Sequence, residues 1–546
     1  MRRILLLVTA VGLAGSLSVA AAAPRTRLLV IVVVDQFRAS YLTSFATHWR
    51  AGFKTLVADG ANFRRAQYPY LHTDTCAGHA TIATGTLPRT HGMIADRWWD
   101  RDARKEIVCT EDEASPTITY ERPSKLGDSA RALLAPTLGD QLRRQKPSAR
   151  VVTLSLKAYS AIGLAGHGGD AVTWFDDIGG TFVTSVEYAS APVPAVKRFV
   201  EMFPYERELG SIWSLRDAPA SYRNPDAGVG ERPPTPWSGL FPHELKGQKG
   251  ADAQFSNLWR RSPASDAYLG RLAVALIDAF GLGQRESTDF LGISFSATDL
   301  VGHLFGPESR EVEDVAARLD DVLGALLAHL DEKVGRANYV LVLTADHGVA
   351  PIPSAANNSG RVAPEDVRER IDDTLRAGYG AQDKEPYVEW NYLGDMYLSP
   401  AVSRRLAADP PMVRAIQKAV SSIPGVDRLL YTPALSSPSS DPLVRSAAMS
   451  SVPARNGEFV TTLKRNWVFT GRVDVIAATH GTQHEYDQHV PLLLFGAGIR
   501  RGTYDAPAAP TDIAPTLAAL AGVDLARTEG RVLREALLPD VQAARR

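Results

Sequence analysis

The sequence predicts an α/β protein with a mainly parallel central sheet flanked by helices and with inserted cap segments. Three observations predict it: short, continuously apolar runs recur, helix-spaced segments separate them, and three of the runs are followed within three residues by aspartate. A strand that is apolar at every position, rather than at alternate ones, is covered on both faces, as in a sheet sandwiched between helices. The runs are Leu28 to Val34, Val151 to Leu156, Phe290 to Ser296, Tyr339 to Thr344 and Val490 to Phe495. Arg318 through Leu330 and Asp512 to Ala521 repeat apolar residues at helical spacing. Two stretches break the rhythm: 205–265, rich in Pro, Gly, Trp and charge, and the Ser/Pro-rich 351–470. Both read as cap insertions within one domain spanning 24–546.

The chain has 546 residues, 45% of them hydrophobic and 22% charged, enough to bury a core. Its 60 Lys and Arg against 61 Asp and Glu lack the basic excess with which nucleic-acid binders neutralise phosphates, so no nucleic-acid surface is expected. Residues 1–23 read as a secretory signal: Arg2 and Arg3, an apolar run from Ile4 to Val19, then Ala20 to Ala23. That run of about 16 residues is shorter than the roughly 20 that cross a bilayer, and no later segment matches it, so the mature chain is expected periplasmic or secreted, with no membrane span. Cys76 and Cys109 are the two cysteines, and an even count in an oxidising compartment suggests one disulfide, against two unrelated buried thiols.

Asp35 follows the first apolar run, Asp299 lies just past the third, and Asp346 and His347 follow the fourth. The carboxyl ends of strands in an open α/β sheet form the binding crevice, so these residues are expected to converge. Asp299 and His303 are four apart, one helical turn, and can reach a single ion; His480 is a further ligand candidate. Imidazole nitrogen with carboxylate oxygen and no thiolate suits Zn²⁺ better than Mg²⁺ or Ca²⁺, and the candidates suffice for two ions. Thr75 lies among small residues, with a helix expected to start at Ala80 to Thr84. A threonine hydroxyl is a poor nucleophile unless a metal lowers its pKa.

Asp35, the Thr75-Cys76-Ala77-Gly78-His79 stretch, Asp299 with His303, Asp346-His347-Gly348 and His480-Gly481, in this order, resemble the alkaline phosphatase superfamily. The chain looks most like its exported, phosphate-irrepressible, threonine-using bacterial alkaline phosphatases, relatives of the nucleotide pyrophosphatase/phosphodiesterases. The match runs from about residue 28 to Pro510–Thr516 and includes Leu154 to Lys157, Trp174 to Asp176, and Thr184-Ser185. The resemblance implies an alkaline-phosphatase-like fold and two Zn²⁺, one held by Asp299, His303 and His480, the other by Asp35, Asp346, His347 and the Thr75 oxygen. It also implies a covalent phosphothreonine that is then hydrolysed, with Lys157 on a non-bridging phosphate oxygen. His484 and His489 are set aside, because the family's His-Gly followed by Tyr-Asp selects His480.

Two positions in the substrate-binding set depart from the family's monoesterases: Asp96 stands where they place Asn, and Tyr159 where they place Arg. A carboxylate repels phosphate unless protonated, and a missing guanidinium removes charge-assisted bonds worth roughly 1.5 to 3 kcal/mol each. Small-molecule phosphate monoesters are therefore the first expected substrates. Diesters or nucleotide pyrophosphates on the same metals are the alternative, and a weakly active metal-binding recognition protein is the second. A sulfatase is excluded, because Cys76-Ala77-Gly78-His79-Ala80 lacks the Pro and Arg of that family's maturation motif. No motif identifies the leaving group or the oligomeric state.

Overall fold

The computed structural model describes residues 26–120, 127–354, 358–380, 386–471 and 475–539; the signal segment expected over 1–23 lies outside them. The central sheet has eleven strands: β1 (Leu28–Val34), β2 (Ala61–Phe63), β3 (Glu111–Thr119), β4 (Gly127–Asp128), β5 (Val151–Ser155), β6 (Ala171–Asp176), β7 (Thr181–Ser185), β8 (Asp289–Phe295), β9 (Tyr339–Thr344), β10 (Leu492–Gly496) and β11 (Gly502–Tyr504). Their spatial order is β11-β2-β10-β9-β1-β8-β5-β6-β7-β3-β4. The stretch β9-β1-β8-β5-β6 is parallel throughout.

The apolarity of β1 has a direct cause. Leu28, Val30, Val32 and Val34 enter one core and Leu29, Ile31 and Val33 the other, with every residue of the strand fully buried. Helices α1 (Thr75–Thr84), α2 (Ala158–Ala165), α3 (Pro263–Phe280), α4 (Ala297–Phe305), α5 (Arg310–Lys333) and α6 (Ile513–Ala521) flank the sheet. Residues of α3, α4 and α5 pack in the first core; Ile82, Ala83, Leu164, Ile513 and Leu517, from α1, α2 and α6, pack in the second. Burial of β1 on both faces explains why its sequence does not alternate.

Two features differ from the sequence reading. The run at Val490 to Phe495 forms β10, which pairs antiparallel to β9, because two-sided burial makes a strand apolar in either direction. The helix expected from Ala80 starts at Thr75, which brings its N-terminal end onto the candidate nucleophile itself.

Between β9 and β10, a four-stranded antiparallel sheet runs in the order Val388–Tyr392, Asp395–Leu398, Phe459–Leu463, Val426–Tyr431. Ile371, Leu375, Leu398, Ile416 and Phe459 belong to its separate core. Within 205–265 lie the strand pair Ile212–Trp213 and His243–Glu244, and the helix Ala253–Arg260 that leads into α3. Among the described residues no helix is long and apolar enough to cross a membrane.

The ends of the central strands are level: Val33 pairs with Thr344, Val34 with Phe295, and Ser294 with Ser155. Asp35, the N-terminus of α4, Asp346-His347 and Lys157 therefore emerge side by side at the carboxyl edge.

Candidate active site

Thr75 is the first residue of α1, and all ten residues of this helix are buried. Its small side chains permit that depth. A Cβ on Gly78 would lie 2.4 Å from the Asp346 carbonyl oxygen and 2.7 Å from Asp346 Cβ, so glycine sets how closely the helix meets the end of β9. In a free helix, alanine would gain about 1 kcal/mol over glycine. Here backbone would have to move, which costs about 1 to 3 kcal/mol and shifts Thr75 from its partners. Gly78→Ala is therefore expected to lower both denaturant stability and kcat, and a variant as stable and active as the parent would refute the close-packing account.

Thr75 Oγ1 lies 3.2 Å from His347 Nε2. Helix capping around it is exchanged between two aspartates. Asp74, in the cap position, makes no capping bond with its side chain; Asp96 Oδ1 instead accepts from the Cys76 backbone N–H at 2.7 Å, while Asp74 Oδ2 accepts from the Asp96 N–H at 3.0 Å. The Cys76–Cys109 disulfide ties the same helix turn to the segment after Lys105–Val108. Burial, then the charge of Asp74, pushes the Asp96 carboxyl well above the ordinary range.

Three histidines face the strand ends in one pattern. His303 Nδ1 is 2.9 Å from the Ala478 carbonyl, His347 Nδ1 2.9 Å from that of Gly348, and His480 Nδ1 3.0 Å from that of Thr73. A carbonyl accepts only, so each Nδ1 carries the proton and each Nε2 presents its lone pair to the centre, the arrangement that orients metal-binding imidazoles. Burial lowers the pKa of His347 and His480 and favours their neutral form. At His303 burial acts in the same sense, but Asp299, 3.1 Å from Nε2, outweighs it and raises the value.

The carboxylates complete two donor groups. Asp299, His303 and His480 offer atoms all within 4.8 Å of one another, and so do Asp35, Asp299 and His347. Asp346 Oδ2 and Asp35 Oδ1 each lie 3.6 Å from His347 Nε2. Oδ1 of Asp35 and Oδ2 of Asp346 are buried without a hydrogen bond. Lys157 Nζ sits 2.5 Å from Asp35 Oδ2 and 2.7 Å from Asp299 Oδ2, one ammonium among three carboxylates. Burial, followed by the charges of Asp299 and Asp346, raises the Asp35 pKa far above normal. Only added positive charge would keep such buried carboxyls ionised, and the thiolate-free donor set fits divalent metal ions.

All seven expected metal-ligand residues thus meet at one edge, with Lys157 among them. Tyr159 stands close by, its ring centroid 5.8 Å from Lys157 Nζ. His79 holds α1 through Nδ1 to the Thr75 carbonyl at 2.9 Å and Nε2 to Ser294 Oγ at 2.8 Å. His484 and His489 instead contact the Leu463 and Arg64 carbonyls.

Sequence reasoning missed two participants. Gln36, at φ +63°, donates its backbone N–H to Asp346 Oδ1 at 3.1 Å and its side-chain amide to Asp299 Oδ1 at 2.7 Å. Only its adjacency to Asp35 could have drawn attention to it. Tyr392, from the second sheet, brings its hydroxyl to 3.4 Å from Asp74 Oδ2, and no spacing in the sequence announces that contact.

The profile of the family described as type I phosphodiesterase / nucleotide pyrophosphatase matches residues 29–487. Alkaline phosphatase PafA of Elizabethkingia meningoseptica is 29% identical, the alignment covering 91% of this chain and 92% of that protein. Alkaline phosphatase PhoK of a Sphingomonas species is 30% identical, with 92% and 89% covered. The crystal structure of wild-type PafA superposes with a TM-score of 0.85 at 28% identity, covering 95% of this chain and 100% of that one. Murine ectonucleotide pyrophosphatase / phosphodiesterase 5, at 13% identity and a TM-score of 0.53, shares the fold.

Proposed function

Because the chain belongs to the type I phosphodiesterase / nucleotide pyrophosphatase family, we propose that it hydrolyses phosphate monoesters outside the cytoplasm, using two zinc ions and Thr75 as nucleophile. It is a phosphoric ester hydrolase, a phosphatase of this family, and its relatives imply metal dependence. One observation carries the finer reading: a threonine hydroxyl at a buried helix N-terminus faces a histidine Nε2 beside two buried carboxylate oxygens, Asp35 Oδ1 and Asp346 Oδ2, that accept no hydrogen bond.

Asp299, His303 and His480 would hold one zinc; Asp35, Asp346, His347 and the Thr75 oxygen would hold the other. Bound zinc supplies Lewis acidity that makes the threonine hydroxyl ionisable near neutral pH and offsets charge on the phosphoryl oxygens. The protein does the rest. The N-terminus of α1 directs its positive end at the attacked phosphorus and at Thr75, and Lys157 reaches a non-bridging oxygen; the phosphoryl group passes to the Thr75 oxygen as the P–O bond to the alcohol breaks and the alcohol leaves, and water then hydrolyses the phosphothreonine to free phosphate and Thr75. The apolar leader at residues 1–23 and the Cys76–Cys109 disulfide both support an oxidising compartment.

A diesterase reading is favoured by one feature, the neutral Tyr159 beside Lys157, since a diester carries less charge for a guanidinium to balance. Metal analysis of the mature protein, with kcat/KM for an aryl phosphate and a bis-aryl phosphate, decides between them. About two zinc per chain with a monoester preference is expected. A diester preference by orders of magnitude would overturn the monoesterase proposal, and zinc without turnover would favour a recognition protein.

A further inference from the structure

Next to Lys157 lies a cavity of about 450 Å³, lined among others by Tyr159, Trp174, Arg97, Arg260 and Arg261. Its arginines are not equivalent. Arg97 is ion-paired with Glu106, and Arg260 with Asp177. Arg261 donates through Nη1 to the Asn257 carbonyl at 3.3 Å and, among the described residues, forms no ion pair. Its side chain is nonetheless partly buried, and burial together with the neighbouring charge of Arg260 lowers its pKa against the attraction of Asp177 and Asp299.

The backbone at this point is fixed from both sides. Arg261 ends the helix Ala253–Arg260, with its N–H bonded to the Leu258 carbonyl, and Ser262 caps α3 by accepting from the Ala264 N–H. Asp176 and Asp177 line the same cavity, but neither is within ion-pair distance of Arg261; a partly desolvated guanidinium in this state, held on a fixed backbone beside a substrate-contacting lysine, is arranged for an anion that arrives from outside.

We propose that Arg261 is a substrate-binding residue that grips an anionic oxygen of the ester, in a cavity that Tyr159, which offers no charge, also lines. This rests on the phosphoric-ester reading of the site. Two sources fit the chemistry: the phosphoryl group being transferred, or a second anion on the departing alcohol.

Three esters separate the possibilities: p-nitrophenyl phosphate, 3-carboxyphenyl phosphate and bis(p-nitrophenyl) phosphate, assayed on wild type, Arg261→Ala and Arg261→Lys. Removing a charge-assisted contact is expected to lower monoester kcat/KM by about 10- to 100-fold in Arg261→Ala, with Arg261→Lys in between and the diester changed by less than about threefold. If the phosphoryl group is the partner, both monoesters fall together and Tyr159→Arg in the Arg261→Ala background restores most of the loss. If the alcohol carries the partner, only the carboxylated ester falls. Equal loss on all three esters, or no loss on either monoester, overturns the proposal. Zinc content and melting temperature are recorded for each variant, and if the alanine variant does not fold, Arg261→Lys and Arg261→Gln carry the same comparison. Wild-type turnover tests the proposed function; the variant-to-wild-type ratio, on whichever ester the wild type cleaves, tests Arg261.

Discussion

If the proposed two-zinc centre with Thr75 as nucleophile operates, Thr75→Ala is expected to lower kcat by about 10³-fold or more while the metal ions stay bound. Alanine is a good helix former, so the first turn of α1 should persist. Three aspartates and three histidines remain to hold metal, and none of the three His Nδ1 bonds involves the lost hydroxyl. Metal analysis alongside a steady-state assay checks both halves. More than a tenth of wild-type kcat would remove Thr75 from the nucleophile role, whereas loss of zinc would show that its oxygen is needed for metal retention.

Asp299→Ala should have the opposite signature. This carboxylate belongs to both donor groups, and it also receives Lys157 Nζ at 2.7 Å and the Gln36 amide at 2.7 Å. Its loss leaves Lys157 with one fewer anion in a buried setting, where breaking a pair costs about 3 to 5 kcal/mol. Zinc content should fall below one per chain, activity should fall with it, and the melting temperature should drop. Asp299→Asn, which keeps the shape but not the charge, should retain more stability than metal. Two zinc ions retained by Asp299→Ala, with kcat/KM within about tenfold of wild type, would mean that the remaining ligands suffice.

The residues that sequence could reveal are those tied to strand ends. β1 and β9 are continuously apolar and end against Asp35 and Asp346, so their burial, their boundaries and the position of the acids follow from one pattern. Asp299 and His303 were legible for a second reason, the four-residue spacing that α4 turns into a shared face. What stayed hidden has no local period. The direction of β10 is invisible because burial on both sides gives the same composition either way. The exchange of capping roles between Asp74 and Asp96 depends on two segments meeting in space. Gln36 matters through a left-handed backbone angle that its residue type does not advertise, and Tyr392 and Arg261 reach the site from insertions.

The strand order also constrains how the protein comes into being. Asp35 emerges from β1 at the middle of the sheet, yet the neighbours of β1 are β8 and β9, and His480 is supplied only after the whole second sheet has been threaded. A chain made from its N-terminus therefore holds its earliest-made aspartate beside partners that do not yet exist. Such non-local closure is slow, and although the group of Asp35, Asp299 and His347 is complete in sequence by residue 347, the group of Asp299, His303 and His480 cannot assemble before residue 480 has been made. Completion of the centre is thus a late event, and a polypeptide interrupted before residue 480 would lack one donor group however well its earlier strands had formed.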